Sequence, residues 1–230
     1  MMNKYLTALL KCRLFENIES NEIETLLSCL KPVIQRYSKN SFVVKTGDRL
    51  DSLGIVIEGE ASVFKESISG NRLLIKNIGA GEMFGEIAAF AEQEEWPALV
   101  QAMTPLTICF ISKDKIIGQC CNACRWHNLM VTNMVSLISQ RALMLSKKIE
   151  YISIKTMRSK LCTYIYEQYM KNKSLTIMLP MNRLQLADFL NVSRPSMSRE
   201  LSRMRDEGII DFHLSTFKIL DIDKLKSYCE

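Results

Sequence analysis

The sequence predicts an α+β chain: an antiparallel β domain, then a long helix, then a small helical domain that ends in a two-stranded wing. Seven of the nine Gly lie between Gly47 and Gly85, and none occurs from Gln119 to Glu207. The glycine-rich stretch consists of short β-branched and aromatic runs with a turn signal between each, the pattern of antiparallel sandwiches and barrels. The glycine-free stretch carries apolar residues at helical spacing.

Composition narrows the class. A chain of 230 residues has room for one or two domains, each with its own core. Apolar residues make up 47%, charged residues 24%, and mean hydropathy is +0.01, which excludes a disordered or collagen-like chain. Trp126 to Gln140, 15 residues without Asp, Glu, Lys or Arg, is too short to span a bilayer. The N-terminal MMNKYLTALLKCRLFENIE has no small-residue cleavage site and reads as no signal peptide. Eight Cys without a secretory signal then imply reduced thiols in the cytoplasm. The net charge of +5 is uneven: residues 1–150 hold 17 Lys and Arg against 16 Asp and Glu, whereas residues 151–230 hold 13 against 9. A basic excess in the smaller part suits a phosphate-backbone partner.

In chain order, a helix-rich lead-in from Lys4 to Leu30 stops near Pro32. Strands follow at Phe42–Lys45, Leu53–Ile57, Ala61–Lys65, Leu73–Ile78, Leu99–Met103 and Leu106–Ile111. From residue 125, Val131, Val135, Ile138, Ala142, Leu145, Ile149 and Ile152 alternate steps of four and three, a heptad seam that predicts a homodimer through paired helices. A single amphipathic helix packed on its own domain gives the same pattern, and Met130, Met134, Leu137 and Met144 widen the apolar face enough for both contacts. Ser153 reads as the N-cap of the next helix, which runs to about Lys173. The divisions are therefore 1–124, 125–150 and 151–230, with a hinge at Glu150–Ser153.

Residues 182–208, NRLQLADFLNVSRPSMSRELSRMRDEG, carry the function. Asn182 caps a helix, with Gln185 placed for a capping box, and Leu184, Ala187, Phe189 and Leu190 supply its apolar side. After the Asn191-Val192 turn, Ser193 caps a second helix that tolerates Pro195 in its first turn. Met197, Leu201 and Met204 face inward, and Gly208 ends the helix. Two short helices across a tight turn are a helix-turn-helix. Arg194, Ser196, Ser198, Arg199 and Arg203 fall on the outer face, where Arg suits the acceptor pair of guanine and Ser suits bases or phosphates. Ile209–Asp211 and Phe217–Leu220 read as the wing.

Throughout its length the chain resembles the cyclic-AMP receptor protein/FNR family of transcription regulators. The resemblance rests on Gly59, GEMFGEIAAF (81–90), SKKIEYISIKTMRSKL (146–161) and the recognition helix. It implies an N-terminal β-roll like that of cyclic-nucleotide-binding domains, a dimerisation helix and a winged helix-turn-helix. It also implies an inverted-repeat double-stranded DNA partner, contacted by Asn182, Arg183, Ser193, Arg194, Pro195, Ser196, Ser198 and Arg199, with RNA polymerase a further partner. In the family's cyclic-AMP binders a Gly-Glu pair and a later Arg-Ser pair hold the phosphate and ribose. Here the pairs fall on Gly85-Glu86 and Trp96-Pro97, and the family's Thr-Ser on the dimer helix falls on Leu145-Ser146. An indole in place of the arginine argues against cyclic AMP and leaves the small-molecule effector unidentified. Glu86 reads equally as a structural carboxylate.

The iron–sulfur pattern of FNR-type sensors does not match Cys12 and Cys29. Cys120, Cys121 and Cys124 with His127 form a tighter group that reads as core packing, with metal binding and thiol redox sensing as alternatives. No HExxH, Walker lysine loop or GxSxG is present, so the chain reads as a non-enzyme. A regulatory subunit that binds an effector without touching DNA would share the β-roll, but not the helix-turn-helix.

Overall fold

A computed structural model describes residues 2–67, 70–91, 93–118 and 125–229. The chain divides into two units, Met1–Gln140 and Arg141–Glu230. The first opens with α1 (Met2–Lys11), a 3₁₀ turn (Arg13–Phe15) and α2 (Ser20–Leu30). Eight antiparallel strands follow. One sheet has the order β1 (Val33–Tyr37), β8 (Leu106–Ser112), β3 (Ser52–Glu58), β6 (Met83–Phe84). The other has the order β2 (Phe42–Val44), β7 (Leu99–Ala102), β4 (Glu60–Glu66), β5 (Arg72–Gly79). Two short helices, α3 (Glu86–Phe90) and α4 (Lys113–Ile117), interrupt and close the strand region.

Alternation along β3 and β8 builds two cores. Leu53, Ile55, Cys109 and Ile111 face Leu9, Leu14, Ile23 and Leu26 of the lead-in helices. Val56 and Ile108 face the second sheet and meet Val44, Ile78, Phe84, Trp96 and Val100. Both faces of β3 are thus covered, which is why Leu53–Ile57 reads as an unbroken apolar run. Gly59 makes the β3–β4 turn at φ 89, and a Cβ there would lie 2.2 Å from the Pro105 carbonyl oxygen.

The long helix α5 spans Arg125–Ser153, past the expected end at residue 150. Met130, Met134 and Leu137 bury against the first core, and Tyr151 is buried in the core of the second unit. Ser153 is not an N-cap: it belongs to α5, and its hydroxyl donates to the Ile149 carbonyl. Thr156 caps α6 (Met157–Asn172) instead, accepting from the Ser159 amide at 3.0 Å.

The second unit continues with β9 (Thr176–Met178), α7 (Arg183–Leu190), α8 (Arg194–Asp206), β10 (Ile210–His213), β11 (Thr216–Ile219) and α9 (Ile222–Ser227). The wing is a three-stranded sheet in the order β10-β11-β9. Its core joins Leu161 and Ile165 of α6, Leu186 and Leu190 of α7, Met197, Leu201 and Met204 of α8, and Ile210 and Phe217 of the wing. Leu184, expected on the apolar side, is 57% exposed, and Leu186 takes its place. A helix turns about 100° per residue, so positions two apart point to opposed sides. No helix among the described residues is long and apolar enough to cross a membrane.

Candidate nucleic-acid interface and effector cradle

The helix-turn-helix is set by its caps. The Asn182 Oδ1 accepts from the amides of Leu184 and Gln185, each at 3.0 Å, and the Gln185 Oε1 accepts from the Asn182 amide at 3.0 Å. Such a capping box contributes about 1 kcal/mol. α7 ends on Asn191 in the left-handed region at φ 53, which asparagine tolerates well. The Ser193 Oγ accepts from the Ser196 amide at 3.3 Å, and Pro195 occupies the first turn of α8, where a missing N–H costs nothing.

Above the buried Met197, Leu201 and Met204, the outer face of α8 is polar and open. Ser193, Arg194, Pro195, Ser198 and Arg199 are exposed and Ser196 is half-buried. Ser193 donates to the Ser196 Oγ at 2.8 Å, and the Arg199 Nη2 donates to the same oxygen at 3.1 Å. A chain of two serines therefore steadies the guanidinium in its free form while its remaining donors stay available.

Arg183 is placed differently. Its guanidinium stacks on Phe212 and Phe217 of the wing, 4.6 and 4.5 Å from the ring centroids, and its Nη1 is buried without a hydrogen-bond partner among the described residues. Burial lowers its pKa from the ordinary arginine value. This side chain ties the start of α7 to the wing through its stacked guanidinium.

Two further groups that position the helix-turn-helix went unnoticed in the sequence. Arg158 of α6 donates through Nε to Glu200 at 2.7 Å and through both terminal nitrogens to Glu207 at 2.8 and 2.7 Å. These bonds hold the Glu207 carboxyl below, and the Arg158 guanidinium above, their usual pKa ranges. The Lys160 Nζ, on a buried side chain, donates to the Leu190 carbonyl at 3.2 Å, placing a cation at the C-terminus of α7. The available signal was the spacing of Glu200 and Glu207, which stacks two carboxylates along one face of a helix.

In the first unit, Gly85 precedes α3 at φ 83, and Glu86 is buried at the first helical position. Trp96 is 5% exposed and its indole lies directly on Gly85: a Cβ there would come within 2.2 Å of Cη2. Phe84 packs beside it, 5.7 Å between ring centroids. The position expected for a phosphate-neutralising arginine is thus filled by a packed aromatic ring. Gly85 and Trp96 are brought together; Pro97 is exposed beside them, and Ser146 lies exposed on the second-unit part of α5. Of the expected seam, Val135, Leu145 and Ile149 are 59%, 60% and 64% exposed, Ala142 is exposed, and Val131 and Ile138 are half-buried. Cys120, Cys121 and Cys124 lie outside the described residues. His127 is buried, and its Nε2 lies 2.8 Å from the Ile116 carbonyl oxygen.

A family profile for the cyclic nucleotide-binding domain matches residues 34–121, and one for the Crp-like helix-turn-helix domain matches residues 159–228. The chain belongs to the cyclic-AMP receptor protein/FNR family. Family relatives include the cAMP-activated global transcriptional regulator CRP of Salmonella typhimurium, 18% identical over 81% of this chain and 89% of the relative. The cyclic AMP receptor protein of Thermus thermophilus is 20% identical over 90% and 91%. Among solved structures, the Thermus thermophilus catabolite activator protein shares the fold at a TM-score of 0.54, with 18% identity over 94% of this chain and 97% of that one. CprK in complex with OCPA shares it at 0.58, with 16% identity over 89% and 93%. The family is one of DNA-binding transcription regulators with an effector-binding domain, rather than of enzymes.

Proposed function

We propose that this chain is a cytoplasmic homodimeric regulator that reads an inverted repeat in double-stranded DNA through paired α8 helices. The observation that carries the reading is the open N-terminal face of α8, with Arg194, Ser198 and Arg199 exposed above a buried Met197/Leu201/Met204 stripe. The exposed apolar stripe of α5 would cover itself in a second copy, and RNA polymerase would be met on the bound promoter. Residues 1–124 would sense the effector and 151–230 bind DNA, with the helix between them carrying the change. The packed Trp96 favours an effector other than a cyclic nucleotide. A salt-dependent gel shift on genomic fragments tests the core of this reading. Retention of one class of fragment, weakening steeply with salt, is expected; no retention at low salt would remove it.

A second reading of the control mechanism is favoured by one observation. The Nε2 of His127 donates to a carbonyl, which leaves a buried Nδ1 lone pair with no hydrogen-bond partner among the described residues, three positions after Cys124. A metal held by His127 with Cys120, Cys121 and Cys124, or oxidation of those thiols, would give a redox-controlled regulator. Elemental analysis of protein purified without oxygen tests the metal. Oxidant-dependent DNA affinity that disappears in the triple Cys→Ser variant tests the thiols. Metal-free protein with oxidant-independent affinity would leave these cysteines as packing residues.

A further inference from the structure

The first unit holds a groove where β1 and β2, edge strands of the two sheets, lie beside α2 and α4. Its volume is about 430 Å³, within the range of small-molecule sites. Tyr37, Phe110 and Trp96 wall it with aromatic rings, over a floor that includes the buried Leu30 and Val44. Phe84 stands behind two of these rings, its centroid 5.7 Å from Trp96 and 6.2 Å from Phe110.

Three cations from three separate elements line the same groove: Lys31 where α2 ends, Arg49 from the segment before β3, and Lys115 from α4. Among the described residues, Asp51 is the one carboxylate in the lining and none of the three cations forms an ion pair. All three are exposed, so solvent screens their mutual repulsion, and they present a net positive rim to an incoming anion. The volume, the rings and the net positive lining together fit a flat hydrophobic body carrying one acid group. A carboxylate also matches the planar fork of arginine, as a point charge does not.

We propose that this groove binds small aromatic carboxylates, with the ring against Trp96, Phe110 and Tyr37 and the carboxylate at Arg49 and Lys115. The site is separate from the Gly85 cradle, yet Trp96 belongs to both, since its indole also lies on Gly85 at the start of α3. An occupant that moves the indole therefore acts on Gly85 and Glu86 without entering the cradle. Only the regulatory meaning of the site rests on the DNA-binding reading above; binding itself does not.

The chain has two Trp, so Trp126→Phe leaves Trp96 as its single indole. This full-length protein is titrated, without DNA, with 2-naphthoate while Trp96 emission is followed. Saturation with a midpoint below about 1 mM is expected. The neutral isostere naphthalene-2-carboxamide should bind about tenfold more weakly, and the Arg49→Ala/Lys115→Ala variant should lose a similar factor. Lys115→Gln, a mild change on an exposed helix, should show part of that loss and guards against a misfolded double variant. Absence of saturation, equal binding of the amide, or unchanged affinity in both variants overturns the proposal. Inorganic phosphate that displaces 2-naphthoate at equal concentration overturns the aromatic specificity. Gel shifts with and without 2-naphthoate separate the two readings: saturable binding in a protein that retains no DNA supports the groove and removes the regulator.

Discussion

Arg158→Met cuts the tie between α6 and the recognition helix while keeping much of the side chain's apolar packing. Three hydrogen bonds, at 2.7, 2.8 and 2.7 Å, are lost. The side chains of Arg158 and Glu200 are 21% and 15% exposed. Without Arg158, the Glu200 carboxylate keeps Arg203 at 3.5 Å as its remaining ion-pair partner among the described residues. Exposed ion pairs are worth about 0.2–1 kcal/mol, whereas removing one partner of a buried pair costs about 3–5 kcal/mol. Partial burial and the weak Arg203 contact place the loss between these, at about 2 kcal/mol, all of it assigned to the Glu200 side. Calorimetric unfolding of the full chain reads it in the transition of the second unit. Neutralising the stranded carboxylate should help, so Arg158→Met/Glu200→Gln should be more stable than Arg158→Met alone. A loss below about 0.5 kcal/mol, or single-variant losses that simply add, would refute the reasoning.

Four other outcomes follow from the same geometry. The Glu207 carboxyl titrates below its ordinary value because of Arg158, so its contribution is complete above the unfolded pKa near about 4.3 and is lost as pH falls through the folded value. The melting temperature of the parent should therefore drop more steeply on acidification below about pH 5 than that of Arg158→Met, and equal slopes would contradict this. Arg199→Ala should cost about 1–3 kcal/mol of DNA affinity and relax one guanine per half-site in a selection from randomised DNA, with the position opposite Pro195 degenerate in the parent. Ile138→Arg and Leu145→Arg should each shift sedimentation toward monomer and weaken DNA binding; a dimer in both variants would place the interface elsewhere. Calorimetric titration with cyclic AMP and cyclic GMP should show no saturable binding below about 10 µM, and such binding would mean that Trp96 yields its place to a phosphate.

Local chemistry was legible in the sequence. The caps at Asn182 and Ser193 form as expected because each needs a side chain and an amide two or three residues away, and the chain supplies both within one turn. All six expected strands are present, since alternation and flanking glycines are local signals. The Met197/Leu201/Met204 stripe is buried for the same reason: helical spacing puts these residues on one face wherever that face is covered.

What the sequence did not reveal depends on partners far along the chain. β1, Val33–Tyr37, has no apolar alternation to mark it, since Val33 and Ile34 are adjacent and Gln35 and Arg36 follow, and it becomes a strand by pairing with β8, whose residues lie more than sixty positions later. β9 pairs with β11 and so joins the wing from across the whole helix-turn-helix. Ser153 and Thr156 are equivalent cap candidates by residue type; the burial of Tyr151 in the second core goes with a helix that continues to Ser153. Arg183 carries the same charge as Arg199, yet one is drawn onto Phe212 and Phe217 and the other stays exposed. Residue type determined what each side chain could do, and tertiary packing decided which of them face water, because burial and ion pairing are set by neighbours that only the folded chain brings together.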